Sequence, residues 1–236
     1  MNIHFIIHED FEAPGAYMDW AREKQHQVSA TRLYLGEQLP SSSADFDMLI
    51  VMGGPQSPST TLTDCPYFDA QAEIRLISDC IAQDKWVVGV CLGAQLLGEA
   101  YGAKTEKSLQ QEIGNFPIQL TKEGLEDRCL RAFPEVMTTG HWHGDMPGLT
   151  AKAQVLATSE GCPRQIIKYA DKHYAFQCHL EFSQELVSSL IAQEENLDEK
   201  SASQEFVQGK EELLSYDYSQ MNAVLKQFLE ELTASG

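Results

Sequence analysis

The stretch from Trp86 to Gly102, WVVGVCLGAQLLGEAYG, decides the fold of this chain. Its first five residues are apolar and mostly β-branched apart from one glycine, which predicts a short buried strand. From Leu92 onward the apolar residues recur at helical spacing, and Gly102 supplies a helix stop. Cys91 is therefore predicted to lie in the turn between a strand and a helix.

Cys91 is flanked by Gly89 and Gly93, and small residues at these two places allow a sharp backbone turn. The pattern is that of a nucleophile elbow, with sulfur in place of the serine of G-x-S-x-G hydrolases. A helix N-terminus stabilises a thiolate, and the same amides can hold an oxyanion. The alternative is a buried, unreactive cysteine in a strand–helix unit. The two glycines favour the nucleophile.

The segments around this stretch predict an α/β fold. Strand patterns fall at residues 2–8, 27–35, 46–52 and 86–90, and helical patterns fall at 16–26, 67–83 and 92–101. Such alternation predicts a doubly wound, mostly parallel sheet with helices on both faces. Farther along, short strands are predicted at 114–120, 136–139, 153–158, 164–169 and 172–177, with a helix at 124–132. The last two strands form a hairpin pattern, and Pro117 predicts an edge strand or a bulge.

The C-terminal part of the chain is predicted to be helical and acidic. Ser183 is a candidate cap for a helix at 184–194, residues 195–204 are polar and expected to be loosely ordered, and 205–232 carry apolar residues at helical spacing. We therefore predict an α/β domain at 1–192 and a helical extension at 193–236 packed on the same domain. A homodimer contact and a docking face for another protein are the alternatives.

Composition excludes several classes of partner. The chain has 35 acidic and 17 basic residues, a net charge of −18, which disfavours binding to nucleic acid or an anionic membrane. The first residues form a core-strand pattern rather than a signal peptide, and no apolar run reaches membrane-spanning length. The six cysteines include no C-x-x-C pair. We expect reduced thiols and a cytoplasmic protein.

A cysteine nucleophile needs a base and a group that orients the base. His179 follows a predicted strand, and Glu181 lies two residues on, so both side chains point to the same side of an extended segment. Glu181 could then hold the His179 imidazole in the productive tautomer. By itself H-x-E fits a surface histidine beside a glutamate equally well. Four other histidines are expected to be structural or exposed: His4, His8, His26 and His173.

Taken together, three motifs resemble the class I glutamine amidotransferase family. They are Gly53-Gly54-Pro55, the G-x-C-x-G-x-Q pattern at 89–95 and H-x-E at 179–181, and the resemblance covers residues 1–181. It is strongest to the amidotransferase domain of GMP synthase and its stand-alone relatives, which include γ-glutamyl peptidases. It implies that Cys91 attacks the side-chain amide of glutamine to form a γ-glutamyl thioester, that His179 protonates the departing ammonia and activates water, and that Glu181 orients His179.

The resemblance also implies the contacts of the substrate. The amides of Gly54 and Leu92 would hold the oxyanion, and Gln95 would contact the bound glutamine. Residues 140–145, GHWHGD, match the S-H-G-D segment that flanks the glutamate part of the substrate, which implicates Trp142 and His143. Read alone, H-x-H-x-D could bind zinc. The resemblance explains the segment without a metal, so no metal and no cofactor are expected.

Several departures from the family keep the function open. No ATP-pyrophosphatase domain and no phosphate-binding loop follow the motifs, and Ala94 replaces a histidine common in the family. The first interpretation is a stand-alone enzyme that hydrolyses a γ-glutamyl amide, either glutamine or a γ-glutamyl conjugate. The alternatives are an ammonia-supplying subunit of a separate synthetase and a non-catalytic binding protein on the same fold.

Overall fold

The computed structural model of the chain describes residues 1–234. Its strands are β1 (Asn2–Ile7), β2 (Gln27–Arg32), β3 (Met48–Val51), β4 (Trp86–Val90), β5 (Glu106–Leu120), β6 (Val136–Met146), β7 (Gln154–Thr158), β8 (Ile166–Ala170) and β9 (His173–Phe176). Its α-helices are α1 (Ala16–Glu23), α2 (Ala70–Ala82), α3 (Leu92–Ala100), α4 (Lys122–Glu126), α5 (Gln184–Gln193), α6 (Leu197–Ser203), α7 (Lys210–Ser215) and α8 (Ser219–Thr233).

The strands form one nine-stranded sheet in the order β2-β1-β3-β4-β9-β8-β7-β5-β6. The strands from β2 to β9 in this order are parallel, and those from β8 to β6 are antiparallel. Alternate residues of β1 enter different hydrophobic clusters: Phe5 packs with residues of α1 and α8, and Ile6 packs with residues of α2 and α3. Helices therefore cover both faces, and the predicted α/β fold is confirmed, including the hairpin of β8 and β9.

Some element bounds were predicted wrongly. Strands β5 and β6 extend far beyond the predicted 114–120 and 136–139 because they pair with each other as a long antiparallel ribbon. The outer part of β5 is polar and mostly exposed, so it carries no apolar alternation. Pro117 pairs with β6 on one side only, since β7 reaches just Gln119 and Leu120, and the bulge lies instead between Lys107 and Glu112.

The predicted helices in the second half also differ. The segment predicted as one helix at 124–132 consists of α4 and a separate 3-10 turn at Arg128–Leu130, because Asp127 starts a new cap there. Residues 195–204 include α6, and 205–232 are divided into α7 and α8. Ser183 does cap α5, as its hydroxyl accepts a hydrogen bond from the Leu186 amide.

Helix α8 lies against the sheet. Phe228 is fully buried and packs edge-on against Tyr174 and Phe176, with ring centroids 5.1 and 4.9 Å away. The indole N–H of Trp86 donates to the carbonyl of Leu232 at 3.2 Å. One hydrophobic cluster thus runs across residue 192, and a division of the chain at that point stays a prediction. Within residues 1–234, no helix is both long and apolar enough to cross a membrane.

Candidate active site

Cys91 lies in a sharp turn between β4 and α3. Its backbone has φ 50° and ψ −107°, a left-handed conformation that is strained for any residue with a side chain. A Cβ on Gly89 would approach the Gly93 carbonyl oxygen to 2.3 Å, and a Cβ on Gly93 would approach the Val51 carbonyl oxygen to 2.0 Å. Both neighbouring glycines are therefore required by close backbone contacts.

The backbone around Cys91 holds the turn and leaves amides available. The Cys91 amide donates to the Phe176 carbonyl at 2.7 Å, and Gly93 donates to Met52 at 3.2 Å. Leu92 is the first residue of α3, so its N–H has no acceptor within the helix. Among the described residues, neither the Leu92 nor the Gly54 amide donates a hydrogen bond.

His179 and Glu181 form a buried pair next to Cys91. Nδ1 of His179 donates to Oε1 of Glu181 at 2.6 Å, and the imidazole stacks on Phe182 with a centroid separation of 4.3 Å. The His179 backbone exchanges two hydrogen bonds with Gly140 of β6, at 2.7 and 2.9 Å. Nε2 of His179 has no hydrogen-bond partner in the described chain.

The surroundings of His179 favour the imidazolium form. Burial by itself lowers the pKa of His179. The Glu181 carboxylate, its hydrogen bond with His179 and the nearby Cys91 side chain outweigh burial, and the pKa of His179 is raised well above its ordinary value. The pair thus places a cationic proton donor beside the thiol.

A cavity of about 490 Å³ opens at Cys91. Its lining includes five of the predicted site residues: Gly54, Cys91, Gln95, Trp142 and His143. The three others are buried and do not line it: Leu92, His179 and Glu181. Four larger surface cavities, two of about 760 Å³, one of about 770 Å³ and one of about 510 Å³, have no cysteine or His179 in their lining. The chemistry and not the size therefore locates the site.

The predicted substrate-contacting side chains are held by protein partners. Nε2 of Gln95 donates to Gln177 at 3.2 Å, and Oε1 of Gln95 has no partner among the described residues. The Trp142 indole donates to Glu194 at 3.1 Å. The His143 imidazole is buried and lies 3.2 Å from the Glu112 carboxylate. Any contact of His143 with a substrate would therefore be made by its backbone.

The side chains that could hold a metal form a buried cluster and are not the H-x-H-x-D set that the sequence offered as an alternative. Ligand atoms of Glu112, His141 and His143 lie within 4.8 Å of one another. Asp145 instead forms an ion pair with Lys107 at 2.6 Å. Burial lowers the pKa of His141 to about 3, which keeps this imidazole neutral.

Protein hydrogen bonds already account for the Glu112 cluster. Ser159 donates to Oε1 of Glu112 at 2.7 Å, and Gln165 donates to Oε2 at 2.6 Å. Burial raises the pKa of Glu112, but the hydrogen bond from His143 and the other contacts outweigh it, so the net shift is downward. The donor atoms of the cluster suit a cation. Without one, the same side chains form a hydrogen-bonded network that connects β5 with β6.

Sequence reasoning missed a second buried pair. His8 was expected to be structural or exposed; it is fully buried, with Nε2 3.0 Å from Glu73 and Nδ1 2.9 Å from the Gly53 carbonyl. Burial lowers the pKa of His8, but Glu73 and the Gly53 carbonyl outweigh this and raise it. The pair orients Gly53 and, through it, the Gly54 amide. The sequence did contain one sign of this pair: Glu73 lies one helical turn before Ile77, on the face of α2 that is buried.

Glu12 is another site residue that no motif marked. It lies in the loop after β1, is half-buried and lines the same cavity as Cys91. Burial raises the pKa of Glu12 to about 7, although His179 and His8 oppose the shift. No local pattern signals it, because its neighbours come from distant parts of the chain.

A strained cysteine at a strand–helix turn, a buried histidine–glutamate pair and a mixed α/β sheet are features of thiol-dependent amide hydrolases. The family model for glutamine amidotransferase class-I matches residues 20–195, and this chain belongs to that family.

Individual relatives agree with the family. The chain is 48% identical over 233 residues to the glutamine amidotransferase-like protein YfeJ of Salmonella typhimurium, covering 99% of this chain and 98% of that one. It is 26% identical to a glutamine-hydrolysing GMP synthase subunit of Methanococcus maripaludis, over 67% of this chain and 82% of that one. The crystal structure of SMU.1228c has a TM-score of 0.98 and 58% identity, covering 99% of this chain and all (100%) of that one.

Proposed function

We propose that the chain hydrolyses a γ-glutamyl amide, glutamine or a γ-glutamyl conjugate, without a partner protein. The observation that carries the proposal is the meeting of the strained Cys91 with the buried His179–Glu181 pair, whose hydrogen bond is 2.6 Å long. The reduced thiol that this chemistry needs fits a cytoplasmic enzyme.

In the first half of the reaction, the Cys91 thiolate attacks the amide carbon and His179 carries the proton. The developing oxyanion would accept hydrogen bonds from the Gly54 and Leu92 amides, each worth about 2.7–4 kcal/mol in comparable enzymes. His179 then passes its proton to the leaving nitrogen, the C–N bond breaks, and a γ-glutamyl thioester remains on Cys91. Glu181 holds His179 in the required tautomer throughout.

In the second half, water replaces the amine. Neutral His179 removes a proton from water, the hydroxide attacks the thioester carbonyl, and the C–S bond breaks. The products are a γ-carboxylic acid, which loses its proton to solvent, and the Cys91 thiolate beside the His179 imidazolium, which restores the starting state. Gln95, Trp142 and the backbone at His143 are the proposed contacts of the glutamyl part.

A second candidate is an ammonia-supplying subunit of a synthetase. It is favoured by the similarity to a protein named as a GMP synthase subunit. A subunit of this kind is expected to turn over slowly alone. A non-catalytic binding protein on the same fold would have no use for the strained Cys91 and its base.

The test is steady-state hydrolysis by the purified chain alone, with glutamine and a panel of γ-glutamyl amides, and Cys91→Ser as the blank. We expect release of amine or ammonia from at least one substrate and none with the variant. Activity that arises only after a synthetase is added would favour the subunit. If the wild type released no more product than Cys91→Ser, the non-catalytic binding protein would be the remaining interpretation.

A further inference from the structure

Glu12 and Cys91 both lie close to the backbone of Gly53. A Cβ on Gly53 would lie 2.1 Å from Oε2 of Glu12 and 3.4 Å from Cβ of Cys91. Only a glycine at position 53 therefore admits the Glu12 carboxylate so close to the nucleophile. Both side chains belong to the lining of the same cavity.

The Glu12 carboxylate has no hydrogen-bond partner among residues 1–234, unlike its neighbour in the same loop. Glu9 accepts hydrogen bonds from Gln56 at 2.7 Å and from the Tyr67 hydroxyl at 2.5 Å. A half-buried carboxyl without a protein donor is free to accept a hydrogen bond from water or from a bound molecule. In this cavity the donor can come from a bound substrate.

The charged groups around Glu12 define what it can contact. His179 and Glu181 face it from the segment after β9, and His8 and Glu9 face it from the end of β1. The described lining of the cavity contains no lysine or arginine. The oxyanion of the reaction carries negative charge and would be repelled by a carboxylate, so the positive end of an N–H bond remains.

We propose that Glu12 is a further catalytic residue, whose carboxylate accepts a hydrogen bond from the nitrogen of the scissile γ-glutamyl amide and holds the leaving amine beside His179. This inference rests on the proposed function. Glu12 transfers no proton: the proton on the nitrogen comes from His179, and the electron pair of the C–N bond leaves with the amine. The residue thereby selects substrates whose leaving atom carries a hydrogen.

The acceptor role also sets a pH dependence. The raised pKa of about 7 means that Glu12 becomes a carboxylate only as the pH rises through neutrality. Below this range the protonated acid cannot offer the same charged acceptor, and hydrolysis of amides should fall.

The experiment compares a γ-glutamyl amide with a γ-glutamyl methyl ester, whose leaving oxygen carries no hydrogen. With Glu12→Leu we expect kcat/KM for the amide to fall by about 10- to 100-fold, the effect of losing a hydrogen bond to a charged group. The ester should change by less than about threefold on the same basis. In Glu12→Gln, the rate of amide hydrolysis should no longer fall as the pH is lowered through about 7. Asp10→Asn, an exposed acid of the same loop, is the matched control and should behave as the wild type.

The outcomes separate the two proposals. An equal loss on amide and ester would show that Glu12 supports the fold or the nucleophile, and would overturn its contact with the leaving nitrogen. An unchanged amide rate would overturn it as well. A wild-type enzyme that hydrolyses neither substrate would overturn the proposed function and this inference with it.

Discussion

Cys91 combines a strained backbone with the thiol that we propose as the nucleophile. A non-glycine residue at φ 50° costs on the order of 1–3 kcal/mol, so the surrounding hydrogen bonds have to hold it. The strain turns Sγ toward the cavity and leaves the Leu92 amide at the start of α3. A strand–helix unit with a purely structural cysteine would gain nothing from this strained conformation.

The two partners of Cys91 should differ in importance. His179→Ala removes the proton carrier and should lower kcat by about 10²- to 10⁴-fold. Glu181→Ala should cost less, because the free imidazole of His179 still samples productive orientations. The measurement is kcat with the best γ-glutamyl substrate, with His26→Ala as a control at a partly exposed histidine. A His179→Ala enzyme near wild-type activity would contradict the assignment.

Glu181 should also set the pH range over which His179 stays charged beside Cys91. The raised pKa of His179 keeps its imidazolium beside Cys91 to a higher pH than an ordinary histidine would. Replacing Glu181 by Gln removes the nearest negative charge and should lower that pKa, so the imidazolium is lost at a lower pH. The rate of Cys91 alkylation, followed against pH, reports this shift. An unchanged profile would mean that Glu181 does not act on His179.

Residues close in sequence could be predicted, and residues brought together by the fold could not. His179 and Glu181 lie two positions apart on an extended segment, so their contact follows from local geometry. His8 and Glu73 are 65 positions apart, and their ion pair depends on how α2 packs over β1. Glu12 likewise has significance only once the loop after β1 lies over Gly53.

At the scale of elements, the elbow depends on close packing of β4, β3 and α3. Gly93→Ala would place a Cβ 2.0 Å from the Val51 carbonyl, and a backbone atom cannot yield as a flexible side chain does. We expect a loss of stability of at least about 1–3 kcal/mol and loss of activity. Gly209→Ala is the control, since its nearest neighbour would be 3.7 Å away. Urea denaturation compares the two, and equal stability would contradict the packing.

The His8–Glu73 pair should stabilise the contact of α2 with the sheet. Glu73→Gln leaves a buried histidine without its counter-charge and should cost about 3–5 kcal/mol in unfolding free energy. The folded pKa of His8 is raised, so its stabilisation is complete below the unfolded value and is lost as the pH rises through the folded one. The difference between wild type and variant should therefore shrink at alkaline pH. Glu123→Gln, an exposed helix acid, should show no such difference.

The alternation of strands and helices could be predicted from the sequence because each buried strand is a short apolar run. The extended β5–β6 ribbon could not be predicted in the same way. The outer residues of β5 are polar and mostly exposed, and residues 140–146 of β6 are buried or partly buried but form no apolar run. The length of each strand is then set by its pairing with the other, which the sequence of one strand alone does not predict.

At the scale of the whole molecule, α8 belongs to the hydrophobic core. Phe228→Ala removes a fully buried ring from between α8 and β9 and should cost about 3–5 kcal/mol. Gln227→Ala, the exposed neighbouring residue, should change little. Thermal unfolding measures both. A similar melting temperature for the two variants would show that α8 is dispensable and would favour a partner-binding role.

Truncation after Gln193 extends the same argument. It removes α8 together with α6 and α7 and should leave an insoluble or strongly destabilised protein, because Tyr174 and Phe176 lose their cover. Amphipathic spacing alone predicted a helix with one apolar face. The face that it covers, and thus the choice between packing and dimerisation, depends on a sheet assembled from both halves of the chain.

Covalent capture at Cys91 tests the central claim most directly. The purified chain is incubated with a glutamine-like diazo-ketone, and its intact mass and peptide map are measured. We predict one adduct per chain, on Cys91, protected by a γ-glutamyl substrate and absent in Cys91→Ser. An adduct on Cys162 or Cys178, or labelling that persists in Cys91→Ser, would contradict the account.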